Sequence, residues 1–219
     1  MAAFENAVAL GYRYLETDVR ATSDGVGVLF HDATLHRVTE HRGRLENLDW
    51  AALQRVRVRG REPVPRLDDL LAAWPSARLN IDVKCRAAIG PVVDAIRRTG
   101  SLDRVCVGSF SARRLDAVRE ALGPALCTSL APRDALAVRR GRAPAAGACT
   151  QVPPRLGAVT LVDERYLGHA HDLSLPVHVW TVNREDEMRR LLDLGVNGVM
   201  TDRADLLRDV LVDRGQWRG

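Results

Sequence analysis

The chain has 219 residues, 46% of them hydrophobic and 27% charged, with a formal net charge of +4. That length can bury one sizeable core without requiring a second, so residues 1–219 read as a single domain. Arginines mixed with acids, as in RRLDAVRE, form no basic stripe and exclude nucleic acid as the natural partner. No apolar run approaches the roughly 20 residues that cross a bilayer, and MAAFENAVALGYR lacks a basic start followed by an apolar block. A cytoplasmic protein with no membrane span is expected.

The first segment, AAFENAVALG, has helical character. A strand follows at 14–20 (YLETDVR), with an extension at 26–32 (VGVLFHD) after an SDG turn. Further strands are expected at 78–84, 104–110, 125–130, 148–153, 177–182 and 198–202. Helical stretches lie between them, among them AIGPVVDAIRRTG, SARRLDAVREALG and EDEMRRLLDLG, each ending at glycine. Alternation of this kind predicts a parallel sheet covered by helices. Seven such strands preceded by a helix suggest an α/β fold, the TIM (β/α)8 barrel, with its first strand missing from this chain and residues 1–219 forming an N-terminally truncated domain. Two unpaired edges would then remain, which a homo-oligomer could cover. Cysteines 85, 106, 127 and 149 are spaced by 21, 21 and 22 residues, which is no zinc pattern. They read as small, reduced, buried thiols marking a structural repeat.

The lone lysine is distinctive. Of 32 basic residues 31 are arginine, and Lys84 stands in NIDVKC. Glu16 and Asp18 are two apart and so share a strand face, as do Asp82 and Lys84 on the next strand of the repeat. In a barrel the chemistry sits where strands end, so three carboxylates and one ammonium are expected at one rim. Hard oxygen ligands of this kind suit Mg2+ or Ca2+, and a compact ammonium beside a cation suits a phosphoryl oxygen. The alternative reading is a set of structural ion pairs. His31 closes an apolar strand at the same rim and is a candidate general acid or base. His36, His41, His169, His171 and His178 have no such setting and read as surface or structural residues.

The stretch ETDVRATSDGVGVLFHDATLHRVT, followed by VPRLDDLL, NIDVK, GSFS, VHVWTVN and GVMTD, resembles the glycerophosphodiester phosphodiesterase family in motif order over nearly the whole chain. The resemblance implies a TIM barrel that uses a divalent metal to hydrolyse small-molecule glycerophosphodiesters to glycerol 3-phosphate and an alcohol. By position it implies Glu16, Asp18 and Asp82 as metal ligands, Lys84 at the phosphate, His31 as one of two catalytic histidines, and Trp180 at the substrate cleft. A core aromatic is the other reading of Trp180. Asp82 stands where many members have Glu. In the family the substrate's glycerol hydroxyl attacks first, giving a cyclic phosphate that water opens. Members begin with a His-Arg-Gly strand, and this sequence starts at the helix beyond it. His41-Arg42-Gly43 in EHRGRLEN is a decoy, since it follows the ETD strand in a polar loop. Impaired activity of the chain as written is therefore expected. The alternatives are a phosphate-ligand binding barrel without chemistry, or an interaction scaffold.

Overall fold

The computed structural model describes residues 1–219, which form two compact units. Unit one comprises Met1–Asn6 and Arg13–Cys127; unit two comprises Ala7–Tyr12 and Thr128–Gly219. Helix α1 (Ala2–Ala9) contributes to both.

Unit one is built on a sheet that begins with β1 (Tyr14–Ala21) and β2 (Gly27–Leu29). A short helix α2 (Trp50–Leu53) and a small hairpin, β3 (Arg57–Val58) with β4 (Glu62–Pro63), follow. Then come α3 (Leu67–Ala73), β5 (Arg78–Val83), α4 (Ile89–Thr99), β6 (Val105–Gly108), α5 (Ala112–Leu122) and β7 (Cys127–Thr128). The sheet order is β2-β1-β5-β6-β7, with β1, β5 and β6 parallel and β2 antiparallel to β1. Alternation along the strands separates two faces: Leu15, Thr17, Val19 and Ala21 of β1 are buried, as are Leu79, Ile81 and Val83 of β5. The other face carries Tyr14, Glu16, Asp18 and Arg20 beside Asn80 and Asp82, all exposed or half-buried. Helix α4 buries Val92, Val93, Ala95 and Ile96 and stops at Gly100, whose φ of 58° permits the left-handed cap.

Unit two runs α6 (Pro132–Val138), β8 (Thr150–Val152), a hairpin of β9 (Arg155–Leu156) and β10 (Val159–Thr160), α7 (Glu164–Asp172), β11 (Val177–Val179), α8 (Glu185–Leu194), β12 (Gly198–Val199) and α9 (Ala204–Asp213). Its three-stranded parallel sheet has the order β12-β11-β8. The core gathers Val152, Tyr166, Val177, Val179, Met188, Leu191, Leu207 and Val210. Asp163 caps α7 by accepting from the Tyr166 amide, and the Tyr166 hydroxyl pairs with Thr150 Oγ1 at 2.6 Å.

All seven anticipated strands are present, several cut to two or three residues because their last residues turn into loops. The cysteine spacing does mark the repeat, one thiol per successive strand segment, and all four are free. Burial differs from expectation: Cys149 is buried, whereas Cys85, Cys106 and Cys127 are half-buried. No helix is long and apolar enough to cross a membrane.

Candidate active site

The polar face of β1 and β5 is fixed by strand register. Asp18 lies directly opposite Asp82, and Glu16 opposite Asn80. Lys84, just past β5, donates its amide to Val19 O at 3.0 Å, which keeps it in line with Asp82. Its ammonium stands 2.7 Å from Asp18 Oδ1 and 2.7 Å from Asp82 Oδ2. Burial alone would lower the Lys84 pKa, but the hydrogen bonds it donates to the two carboxylates outweigh it and raise the group above its ordinary value. Phe110 covers the ammonium with its ring centroid 5.4 Å away. Ser109, in the GSFS stretch, donates to Val83 O at 2.7 Å and receives Arg114 Nε, bracing the end of β5.

His31 reaches this end of the sheet through a short hairpin. Thr22 and Asp24 close the turn: Thr22 Oγ1 donates to Asp24 Oδ1 at 2.5 Å, and Gly25 supplies a φ of 82°. Asp24 also accepts from the Trp50 amide at 3.0 Å. Gly27 is needed because a Cβ there would meet Pro91 Cβ at 3.0 Å. The returning strand then places Phe30 so that its amide donates to Asp18 O at 3.0 Å. His31 follows with its side chain 61% exposed, and its Nδ1 lies 2.6 Å from Asp32 Oδ1.

Asp18, Asp82 and Lys84 are thus brought into contact, whereas Glu16 sits exposed one step down the strand. The carboxylates do not gather into a ready three-ligand cluster, because the ammonium stands between Asp18 and Asp82. Two observations nevertheless fit a dication. Asp82 Oδ1 is buried without a hydrogen-bond partner, and the two carboxylates that share one ammonium leave a net negative charge. In unit two, half-buried Trp180 follows β11 and its amide donates to Val152 O at 3.2 Å. His41 is exposed in the loop after β2, where Thr39 Oγ1 receives its amide at 3.1 Å. Sequence reasoning passed over Arg20, Asp32 and Arg37, which surround His31. It also passed over Asn183, which accepts from Thr201 Oγ1 and the Asp202 amide and donates to Asp202 Oδ2. Its place in VHVWTVN, ahead of GVMTD, was the available signal.

Comparison with solved structures settles the fold class first. A crystal structure from Silicibacter pomeroyi, described as a "Putative glycerophosphoryl diester phosphodiesterase", superposes with a TM-score of 0.83 at 25% identity, covering 98% of this chain and 88% of that one. An Oleispira antarctica phosphodiesterase in complex with the product sn-glycerol-3-phosphate gives a TM-score of 0.79 at 19% identity, covering 96% and 90%. The fold is that of the TIM barrel.

The model of the glycerophosphoryl diester phosphodiesterase family matches residues 1–206, and the chain belongs to that family of enzymes. The Mycobacterium tuberculosis protein named "Probable glycerophosphodiester phosphodiesterase 2" is 41% identical over 229 residues, covering 100% of this chain and 87% of that relative.

Proposed function

We propose that the chain acts as one glycerophosphodiester phosphodiesterase domain that hydrolyses glycerophosphodiesters to glycerol 3-phosphate and an alcohol with the help of a divalent cation, Mg2+ or Ca2+. The carrying observation is the opposed pair Asp18 and Asp82 sharing Lys84, with Asp82 Oδ1 left as a buried, unused acceptor. Glu16, Asp18 and Asp82 would hold the cation, which when bound would neutralise and polarise the phosphoryl group. Lys84, kept charged by its two carboxylates, would grip a phosphoryl oxygen. His31 would take the proton of the attacking hydroxyl or give one to the leaving oxygen. The family resemblance adds Trp180, in unit two, as a substrate-contacting residue. With His31 as the one histidine in this constellation, turnover is expected to be slow.

Phosphorus NMR of glycerophosphocholine incubated with the chain tests the reading. Glycerol 3-phosphate should accumulate with Mg2+ or Ca2+ and stop with EDTA. Cation-dependent binding of glycerol 3-phosphate with no hydrolysis would instead identify a phosphate-ligand binder.

A further inference from the structure

The groups around His31 form a chain with a direction. Phe30 and Leu35 are buried on either side of it, in a local core with Val28, Leu45, Leu53, Val56 and Val64. The loop between them, with His31 exposed and Asp32, Ala33 and Thr34 half-buried, therefore starts and ends on fixed points. Arg20, on the polar face of β1, donates Nε to the His31 carbonyl at 2.8 Å and pins the backbone. Asp32 Oδ1 lies 2.6 Å from His31 Nδ1, and Arg37 Nε donates to the other oxygen, Oδ2. Both oxygens of Asp32 are thus occupied, one by a fixed cation and one by the imidazole.

An ionised carboxylate can only accept, so the ring nitrogen facing it must carry the proton. The Arg37 hydrogen bond foremost, opposed by partial burial and aided by His31, holds the Asp32 carboxyl down at about 2. Asp32 is therefore an acceptor throughout the neutral range. Nδ1 is committed, and Nε2 is the atom left for a reacting partner. Arg37 is itself 61% exposed and its pKa is raised by the same pair, so its part in this arrangement is to orient the carboxylate.

We propose that Asp32 and Arg37 are positioning residues for His31: Arg37 clamps Asp32, and Asp32 holds the imidazole in its Nδ1–H form with Nε2 poised to exchange a proton. The inference rests on the reading of His31 as the acid or base, but it assigns two residues that reading does not use.

The test is a long-range 1H–15N correlation spectrum of the labelled full chain, recorded where the imidazole is neutral. His31 should carry its proton on Nδ1. Asp32→Ala should convert it to the other tautomer or to a mixture, and Arg37→Met, a change at an exposed side chain, should do so in part, with Arg37→Lys restoring most of the effect. In parallel, Asp32→Ala should lower kcat on glycerophosphocholine by up to about 100-fold with little change in KM, the scale of a general acid-base contribution. Asp32→Ala added to His31→Ala should cost little more, because Asp32 acts only through the imidazole. The same tautomer in wild type and Asp32→Ala, or a mixture already in the wild type, would overturn the proposal. A tautomer change on Asp32→Ala with turnover indifferent to His31→Ala would leave the clamp in place and remove His31 from the chemistry.

Discussion

Lys84 sits between two half-buried carboxylates, and removing it exposes how the site is balanced. Lys84→Met should destabilise the metal-free protein by about 1–3 kcal/mol, since Asp18 and Asp82 lose their shared donor. Urea unfolding in EDTA measures this. Part of the loss should return on adding Ca2+, which can neutralise the same oxygens. Asp32 gives a pH signature. Its folded carboxyl lies at about 2, below the ordinary aspartate value of 3.8. A depressed pKa contributes stability that is present above the unfolded value and is lost as pH falls through the folded one. The urea midpoints of wild type and Asp32→Ala should therefore differ at pH near 5 and converge toward pH 2. At this scale the sequence was most legible where spacing alone decided geometry. Asp18, Asp82 and Lys84 share a face because they stand at alternate positions. The register that puts Asn80, and not a carboxylate, opposite Glu16 is a tertiary property that alternation does not encode. Asp32 and Arg37 were missed for a similar reason: their pairing depends on how a loop folds back, and no periodicity governs it.

The hairpin between β1 and β2 is the element on which His31 depends. Thr22 and Asp24 bind each other and the turn backbone, and Asp24 also holds the start of α2. Asp24→Ala should cost about 1 kcal/mol, the usual worth of a capping or turn hydrogen bond. It should lower kcat more than it lowers cation affinity, because Asp18 and Asp82 stand on the β1 and β5 ladder and His31 does not. Urea unfolding, turnover and calorimetry on the one variant separate these effects. The turn was readable because SDG has a mechanism: a short polar side chain that bonds its own backbone, followed by a residue free to adopt positive φ. Strand lengths were less readable. Segments such as ALCTSL and GVMTD have strand composition throughout, yet the strands are only Cys127–Thr128 and Gly198–Val199: Ser129 adds a single bridge to Cys149, and Thr201 and Asp202 turn to bond Asn183.

For the molecule as a whole, the alternating pattern and the order of motifs led to the barrel class that the superpositions then established. The sequence could not show that the chain resolves into two compact units, since that depends on which distant segments pack together. The formal charge of +4 is carried by arginines spread along the chain, several of them paired with acids such as Asp186, Asp213 and Asp205. An anionic phosphodiester should feel this only as a weak, screenable attraction. KM should rise modestly with salt while kcat stays level, as steady-state kinetics at low and high ionic strength would report.

In the proposed site Glu16, Asp18 and Asp82 would hold a dication, and Lys84 would hold a phosphoryl group against it. Titration calorimetry of glycerol 3-phosphate into the protein tests it most directly, in Ca2+ and in EDTA, for wild type and Asp82→Asn. Binding heat should appear for wild type in Ca2+ and be abolished both by EDTA and by Asp82→Asn. Equal affinity in all four titrations would contradict the claim.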